Sequence, residues 1–304
     1  MKQLVILSGK GGTGKTSVAS AFAHLSSDPA YGIRALFVDA DVDAANLGLV
    51  LKPQTVQTQE FWGGAMAEID TPLCTGCGAC VSVCRYYAIF PDPAHLPAYW
   101  IDPVACDGCA ACVYACPEGA ISMVPQQDGY WFHSTTPYGD LFHAELFAGK
   151  ENSGKLVTLV RQFGRLQARD TDADLVIIDG PPGIGCPVIS ACSGADLGLI
   201  VTEPGQAGFH DMKRILATLQ HFRIPAVLCI NKADLYQAST DEIIAFAQDQ
   251  GIEVLGLIPY DEAVPSAMLQ GQPVTDAYPG APASAVIRQS WQAVLNRLLA
   301  PKEG

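Results

Sequence analysis

The chain of 304 residues carries 18 lysines and arginines against 31 aspartates and glutamates, a formal net charge of −13, and is 49% hydrophobic and 16% charged. That acidic balance argues against a nucleic-acid surface, the composition is globular rather than disordered, and the length allows one large domain or two smaller ones. No apolar run reaches the ~18 residues that span a bilayer and the opening residues lack a secretory pattern, so a soluble cytoplasmic protein is expected.

The chain opens as strand, glycine loop and helix. Residues 4–7 (LVIL) are a short apolar run, SGKGGTGKT follows at 8–16, and residues 17–25 have helical apolar spacing. Gly9 to Thr16 satisfies G-x-x-x-x-G-K-[ST] in the strand–loop–helix setting of a phosphate loop. In such a loop Gly11, Gly12, Thr13 and Gly14 bring backbone N–H groups around phosphates, with Ser17 just beyond on a helix whose N-terminus adds its dipole. Lys15 reaches the β and γ phosphates and Thr16 ligates Mg²⁺. RALFVDAD at 34–41 is a second buried strand, ending in Asp39 and Asp41. After Leu51 the pattern dissolves into a polar stretch, KPQTVQTQ, read as the end of regular structure.

Residues 74–121 hold eight cysteines in two runs, the second repeating the first 32 residues later: Cys74, Cys77, Cys80, Cys84, Ala88 and Ile89 superpose on Cys106, Cys109, Cys112, Cys116, Ala120 and Ile121. C-x₂-C-x₂-C-x₃-C is the ferredoxin run for [4Fe–4S] clusters, in which the fourth cysteine of each run ligates the other cluster. One cluster is therefore assigned to Cys74, Cys77, Cys80 and Cys116, the other to Cys84, Cys106, Cys109 and Cys112. Pro117 follows Cys116 in the usual way, whereas Arg85 follows Cys84. Zinc would favour paired C-x-x-C sites over three-cysteine runs with a distant fourth. Proline-rich PDPAHLP at 91–97 connects the halves.

From about residue 130 the alternation of strand and helix resumes. YWFHS and LFHAELF read as strands, as do 174–183, 196–204, 226–234 and 253–259, with helices at 153–168, 209–222, 239–250 and 284–299. Strands alternating with helices imply a doubly wound, mostly parallel α/β sheet with its sites at the strands' carboxyl ends. The cysteine module, 63–128, is then an insertion into a domain made of 1–62 and 129–304. Cys229 reads as a core residue, and His210 and Asp211 as helix-start caps or sensors of nucleotide state. The apolar stripe of the last helix, with only Arg288, Arg297 and Lys302 as nearby cations, reads as core packing rather than a membrane anchor.

Lys10, directly after the first glycine of the loop, marks a deviant Walker A sequence, and the chain here resembles the MinD/ParA/Mrp group of P-loop ATPases. Nearly the whole length, including the ENSGKLV string at 151–157, resembles MinD/Mrp-type ATPases with an inserted two-cluster ferredoxin domain. The resemblance implies that Lys10 crosses the interface of an ATP-sandwiched dimer. It implies that Asp41 orients the attacking water, that Asp179 is the Walker B aspartate, and that GPPG at 180–183 is switch II. Asp39 and Asp43 either hold Mg²⁺ through waters or cap the following turn. Asn231-Lys232-Ala233-Asp234 looks like the base-recognition string of GTPases, but in this group the implied nucleotide is ATP, with Asn231 near the adenine and Pro259 packing on its ring.

The expected activity is MgATP hydrolysis that closes a homodimer, or a heterodimer with a related ATPase. Closure is expected to gate electron transfer from the ferredoxin insert towards a metal cofactor or a metal-cluster assembly partner. The alternatives are a cluster carrier, with Cys186 as a candidate ligand beyond its packing role, and a MinD-like positioning switch with redox-sensing clusters.

Overall fold

The computed structural model describes residues 1–150 and 152–299; Glu151, which opens the ENSGKLV string, and the PKEG end with Lys302 lie outside the described residues. The chain forms two compact units. Met1–Gln59, Tyr130–Glu145 and the segment from Ser153 onward make the larger, and Glu60–Gly129 with Leu146–Asn152 the smaller.

The larger unit opens with β1 (Lys2–Ser8), α1 (Lys15–Ser26), β2 (Ala35–Asp39) and the short α2 (Leu47–Leu51). β3 (Gln54–Ile69) then runs for 16 residues and carries the chain into the smaller unit. The polar stretch 52–59, read above as non-strand, is thus largely the first half of a strand. Its residues from Gln54 to Glu60 are all exposed and β3 lies at the sheet's edge. With no buried face, nothing enforces apolar alternation, and Thr55, Val56 and Thr58 supply only propensity.

In the smaller unit, α3 (Ala79–Val83), the antiparallel pair β4 (Ile89–Pro91) and β5 (Tyr99–Ile101), and α4 (Ala111–Ala115) surround a small core of Ala67, Cys80, Ala88, Ile89, Ile101, Cys112 and Ile121. The sequence duplication is also a backbone duplication. Gly76 and Gly108 share left-handed geometry at φ 73° and 72°, Gly78 pairs with Ala110 at 73° and 61°, and Tyr87 with Gly119 at 53° and 62°. Each half has therefore lost one glycine where left-handed backbone favours it.

β6 (Ile121–Thr136) returns to the larger unit and turns through Pro137-Tyr138 into β7 (Gly139–Leu146), a two-residue connection that makes the pair antiparallel. The remaining elements alternate: α5 (Ser153–Asp170), β8 (Leu175–Pro182), α6 (Cys186–Cys192), β9 (Leu197–Thr202), α7 (Gln206–His221), β10 (Ala226–Asn231), α8 (Gln237–Asp249), β11 (Glu253–Ile258), α9 (Ala263–Leu269), α10 (Val274–Ala277) and α11 (Pro282–Leu299). The sheet order is β11-β10-β9-β1-β8-β2-β7-β6-β3, with parallel pairing from β11 to β7. β1 and β8 are central and buried on both faces, which is why LVIL and LVII are continuous apolar runs.

The apolar stripe of α11 lies in the core: Ile287, Trp291, Val294, Leu295 and Leu298 are buried, and the Trp291 ring sits 4.9 Å from Phe22 of α1. No helix among the described residues is long and apolar enough to cross a membrane. On β7, His143 stacks on Phe132 with its Nε2 3.0 Å from Ser134 Oγ, and burial pushes its pKa down to about 4. The unfolded chain, titrating at the ordinary histidine pKa, binds the extra proton first, so stability is lost as pH falls from the unfolded towards the folded value. Urea denaturation at about pH 7 and about pH 5 should therefore show His143→Gln losing on the order of 1–2 kcal/mol less than the parent over that interval.

Candidate functional site

The parallel register places the ends of three strands together. Asp179 of β8 is level with Ile6 of β1 on one side and Asp39 of β2 on the other, next to the loop that leaves β1. Lys15 Nζ lies 2.7 Å from Asp179 Oδ1, and Thr16 Oγ1 donates to Asp179 Oδ2 at 2.8 Å. Burial works against the Lys15 charge, but the Asp179 carboxylate outweighs it and holds the ammonium above its usual range. Lysine, hydroxyl and carboxylate are the groups that a Mg²⁺-bound phosphate needs, and here the lysine and the hydroxyl both lie within hydrogen-bond distance of the carboxylate. Among the described residues the buried Thr13 hydroxyl has no hydrogen-bond partner, a donor left over for a phosphate oxygen. Gly183 N–H donates to Ser8 O at 3.1 Å and so fastens the segment after Asp179 to the root of the loop.

Of the other aspartates, Asp39 is fully buried and accepts from the backbone N–H groups of Asp41 and Leu47 at 3.1 and 3.0 Å. Burial, reinforced by Asp179, pushes its pKa up to about 8. Asp39 thus shapes the turn after β2. Asp41 is half-buried and raised by burial to about 6, and Asp43 is exposed.

Lys10 folds back within its own chain, its Nζ 2.5 Å from Glu203 Oε1, while Lys232 Nζ is 3.1 Å from Glu203 Oε2. Burial alone would raise the Glu203 pKa, but the two ammonium donors hold it below its usual range. Sequence reading missed Glu203, which no motif marks. It also misplaced Asp211. α7 starts at Gln206 after Gly205, so His210 and Asp211 lie in the second helical turn and cap nothing. Asp211 instead packs on the phosphate loop, where a Cβ on Gly9 would come within 2.1 Å of its own Cβ.

A cavity of about 620 Å³ beside the loop is lined by Gly12, Gly14, Ser17, Asn231, Pro259 and Tyr260, with Met268 and Leu269 of α9 adding apolar surface. It brings together the residues expected around the base. Asn231 has a second task, donating to Thr13 O at 2.8 Å, and Gly14 at φ 92° leaves room for it. Asp234 accepts from Tyr260 N–H at 2.7 Å and ties the two loops that wall the cavity. The apolar wall from α9 left no legible signal, since a seven-residue helix is too short to show a period.

The smaller unit sorts its eight cysteines into two cavities. Cys74, Cys77, Cys80 and Cys116 line one, with Ile69, Tyr99 and Ile121; Cys84, Cys106, Cys109 and Cys112 line the other, with Ala67, Tyr86, Ile89 and Ile101. All eight are unpaired thiols. Among the described residues no three His, Cys, Asp or Glu side chains converge tightly enough for a single metal ion. The thiols rim a space instead. Backbone N–H groups of Ala88 and Ala120 reach Cys84 Sγ and Cys116 Sγ at 3.4 and 3.3 Å, equivalent contacts in the two halves. Burial raises the Cys80 and Cys112 thiols, and neighbouring cysteines add to the effect. Four thiols around one space suit a polynuclear cation able to take the charge of their thiolates. Cys229 and Cys192 are buried elsewhere, each raised by burial to about 11, and Cys186 is exposed at the start of α6.

Residues 4–274 match the CobQ/CobB/MinD/ParA nucleotide binding domain. The chain belongs to this family. It is a P-loop ATPase. An uncharacterised protein of Methanocaldococcus jannaschii is 34% identical over 230 residues, 76% of this chain and 78% of its own. An iron-sulfur cluster carrier protein of Aquifex aeolicus is 25% identical over 118 residues, 35% of this chain and 32% of its own. Among solved structures, the septum site-determining protein MinD of Pyrococcus horikoshii, complexed with Mg-ADP, shares the fold at a TM-score of 0.60 and 17% identity, over 96% of this chain and 95% of that one.

Within this family frame, Lys15→Ala removes the cation that pairs with Asp179 and should reduce nucleotide binding below detection in titration calorimetry. Lys10→Ala leaves the loop backbone and Lys15 in place, so it should keep binding within a few-fold while steady-state hydrolysis falls by at least about tenfold.

Proposed function

We propose that the protein is an ATPase carrying two [4Fe–4S] clusters, in which MgATP-driven association of two ATPase units is coupled to electron transfer towards a metal cofactor or a metal-cluster assembly partner. The observation that carries this reading is the sorting of eight thiols into two sets of four, each drawing three cysteines from one run and the fourth from the other. A crossed set is what two-cluster ferredoxins require, and it follows from the duplication without any adjustable choice. When bound, the clusters supply one-electron transfer.

The chain's own residues perform the remaining roles. Lys15, Thr16 and Asp179 exchange their mutual contacts for the β and γ phosphates and Mg²⁺, and Asp41 orients water for attack on the γ-phosphate. Asn231 and Pro259 position adenine in the adjoining cavity. Lys10 leaves Glu203 to reach the nucleotide of the second ATPase unit, a homodimer partner or a related chain. The Gly180–Gly183 segment, fastened to Ser8, moves with the γ-phosphate.

The cluster assignment is tested by iron content after anaerobic reconstitution. The parent should hold about eight iron atoms per chain, and Cys74→Ser/Cys116→Ser should hold about four, because both cysteines serve the same cluster. Uncrossed ligation would cost that double variant both clusters. Coupling is tested by a redox titration with MgADP and then a non-hydrolysable MgATP analogue, where a shift of roughly 60 mV is a tenfold linkage for one electron. The likeness to an iron-sulfur cluster carrier favours a second reading, delivery of the cluster itself. Iron passing from the labelled protein to an apo-acceptor in step with ATP turnover would establish that reading in place of electron transfer.

A further inference from the structure

Residues 152–157 belong to neither the phosphate loop nor the cysteine cavities, yet their neighbours lead to both. In the larger unit, α5 begins at Ser153, and a Cβ on Gly154 would lie 3.4 Å from Cys186 Cβ and 3.5 Å from Ser190 Oγ. Both belong to α6, the helix that follows Gly180–Gly183. Two turns further along α5, the buried Arg161 guanidinium donates to Gln3 Oε1 on β1 and to Ser190 O and Ser193 O at the end of α6. Burial pushes its pKa down to about 10. The rigid fork of the guanidinium therefore fixes α5 to the strand that enters the phosphate loop and to the helix that leaves the switch segment.

In the smaller unit, the residues just before α5 are anchored on β6. Asn152, left-handed at φ 76°, donates to Asp128 Oδ2 at 3.1 Å, and Lys150 Nζ donates to Gln126 Oε1 at 2.7 Å. Phe147 N–H donates to Asp128 O at 2.7 Å. Asp128 is only 2% exposed, and its carboxylate fits because Gly63 and Gly64 carry no Cβ, which would lie 2.5 and 3.3 Å from Oδ2. β6 starts at Ile121, in the wall of the Cys116 cavity, and a polar cleft lined by Gln126, Asp128, Lys150 and Asn152 extends to Cys106 of the other set. One peptide bond, Asn152–Ser153, separates the anchor in the smaller unit from the helix fixed in the larger.

We infer that Asn152 and Asp128 are positioning residues that pass the state of the nucleotide, through the switch segment, α6 and α5, to the cysteine unit. This rests on the nucleotide-coupled reading above. A helix held at Gly154 and Arg161 cannot follow α6 without loading the next contact along the chain, and that contact joins a left-handed asparagine to a buried carboxylate whose other oxygen faces Lys150 Nζ at 3.8 Å.

The experiment is amide hydrogen exchange on the iron-loaded full chain, with MgADP and with a non-hydrolysable MgATP analogue, alongside the rate of cluster oxidation by ferricyanide. Asn152→Gly keeps the left-handed backbone and removes only the amide. Gly154→Val perturbs the other end by crowding Cys186. In the parent, changing the nucleotide should alter exchange across residues 121–129 and the oxidation rate by about fivefold. Asn152→Gly should abolish both responses while retaining iron content and ATP turnover, and Gly154→Val should change their size. A full response in Asn152→Gly, with Gly154→Val unchanged, overturns the inference. A parent that does not respond overturns the nucleotide-coupled reading as well, so the two failures are distinct.

Discussion

A carboxylate buried at the end of a central strand, held between an ammonium and a hydroxyl from the facing loop, sets the terms for the larger unit. Asp179 is buried, and Lys15 and Thr16 meet it there from the first turn of α1. That turn comes close enough because Gly9 clears Asp211 and Gly14 clears Asn231. A second unpaired charge alongside would be intolerable, and Asp39, level with Asp179 in the sheet, is correspondingly shifted towards its neutral form. The parallel strands deliver these groups to one place, and the sequence between them is constrained by how few side chains the spot can hold.

The smaller unit obeys a different constraint. Its apolar core is a handful of alanines, isoleucines and two cysteines, too little to order a segment of that length by burial alone. Its thiols form no disulfide that would add a covalent constraint. Under the proposed two-cluster reading, folding and cofactor loading of this unit would be one process.

Legibility in the sequence followed burial and fixed spacing. Buried parallel strands announce themselves as apolar runs, the phosphate loop by its glycines, and the cysteine sets by a spacing repeated twice. β3 escaped because its first seven residues face solvent. Glu203 and Asp128 escaped for another reason: each is a carboxylate whose partner is distant in sequence, namely Lys10 and Asn152, and the packing of Asp211 on Gly9 is likewise non-local. The association of Leu146–Asn152 with the smaller unit likewise depends on Lys150 and Asn152 finding β6, which no local pattern encodes.

The internal pairing of the loop's lysines has a consequence for what the site ignores. Lys15 is engaged by Asp179 and Lys10 by Glu203, so a small anion arriving alone finds both cations already neutralised. Inorganic phosphate offers too few contacts to displace two ion pairs and the desolvation behind them. A magnesium-bound triphosphate brings a cation for Asp179 as well as oxygens for Lys15, and so replaces that broken pair in kind. Abundant simple anions are thereby turned away without any steric gate, by competition from carboxylates in the same chain.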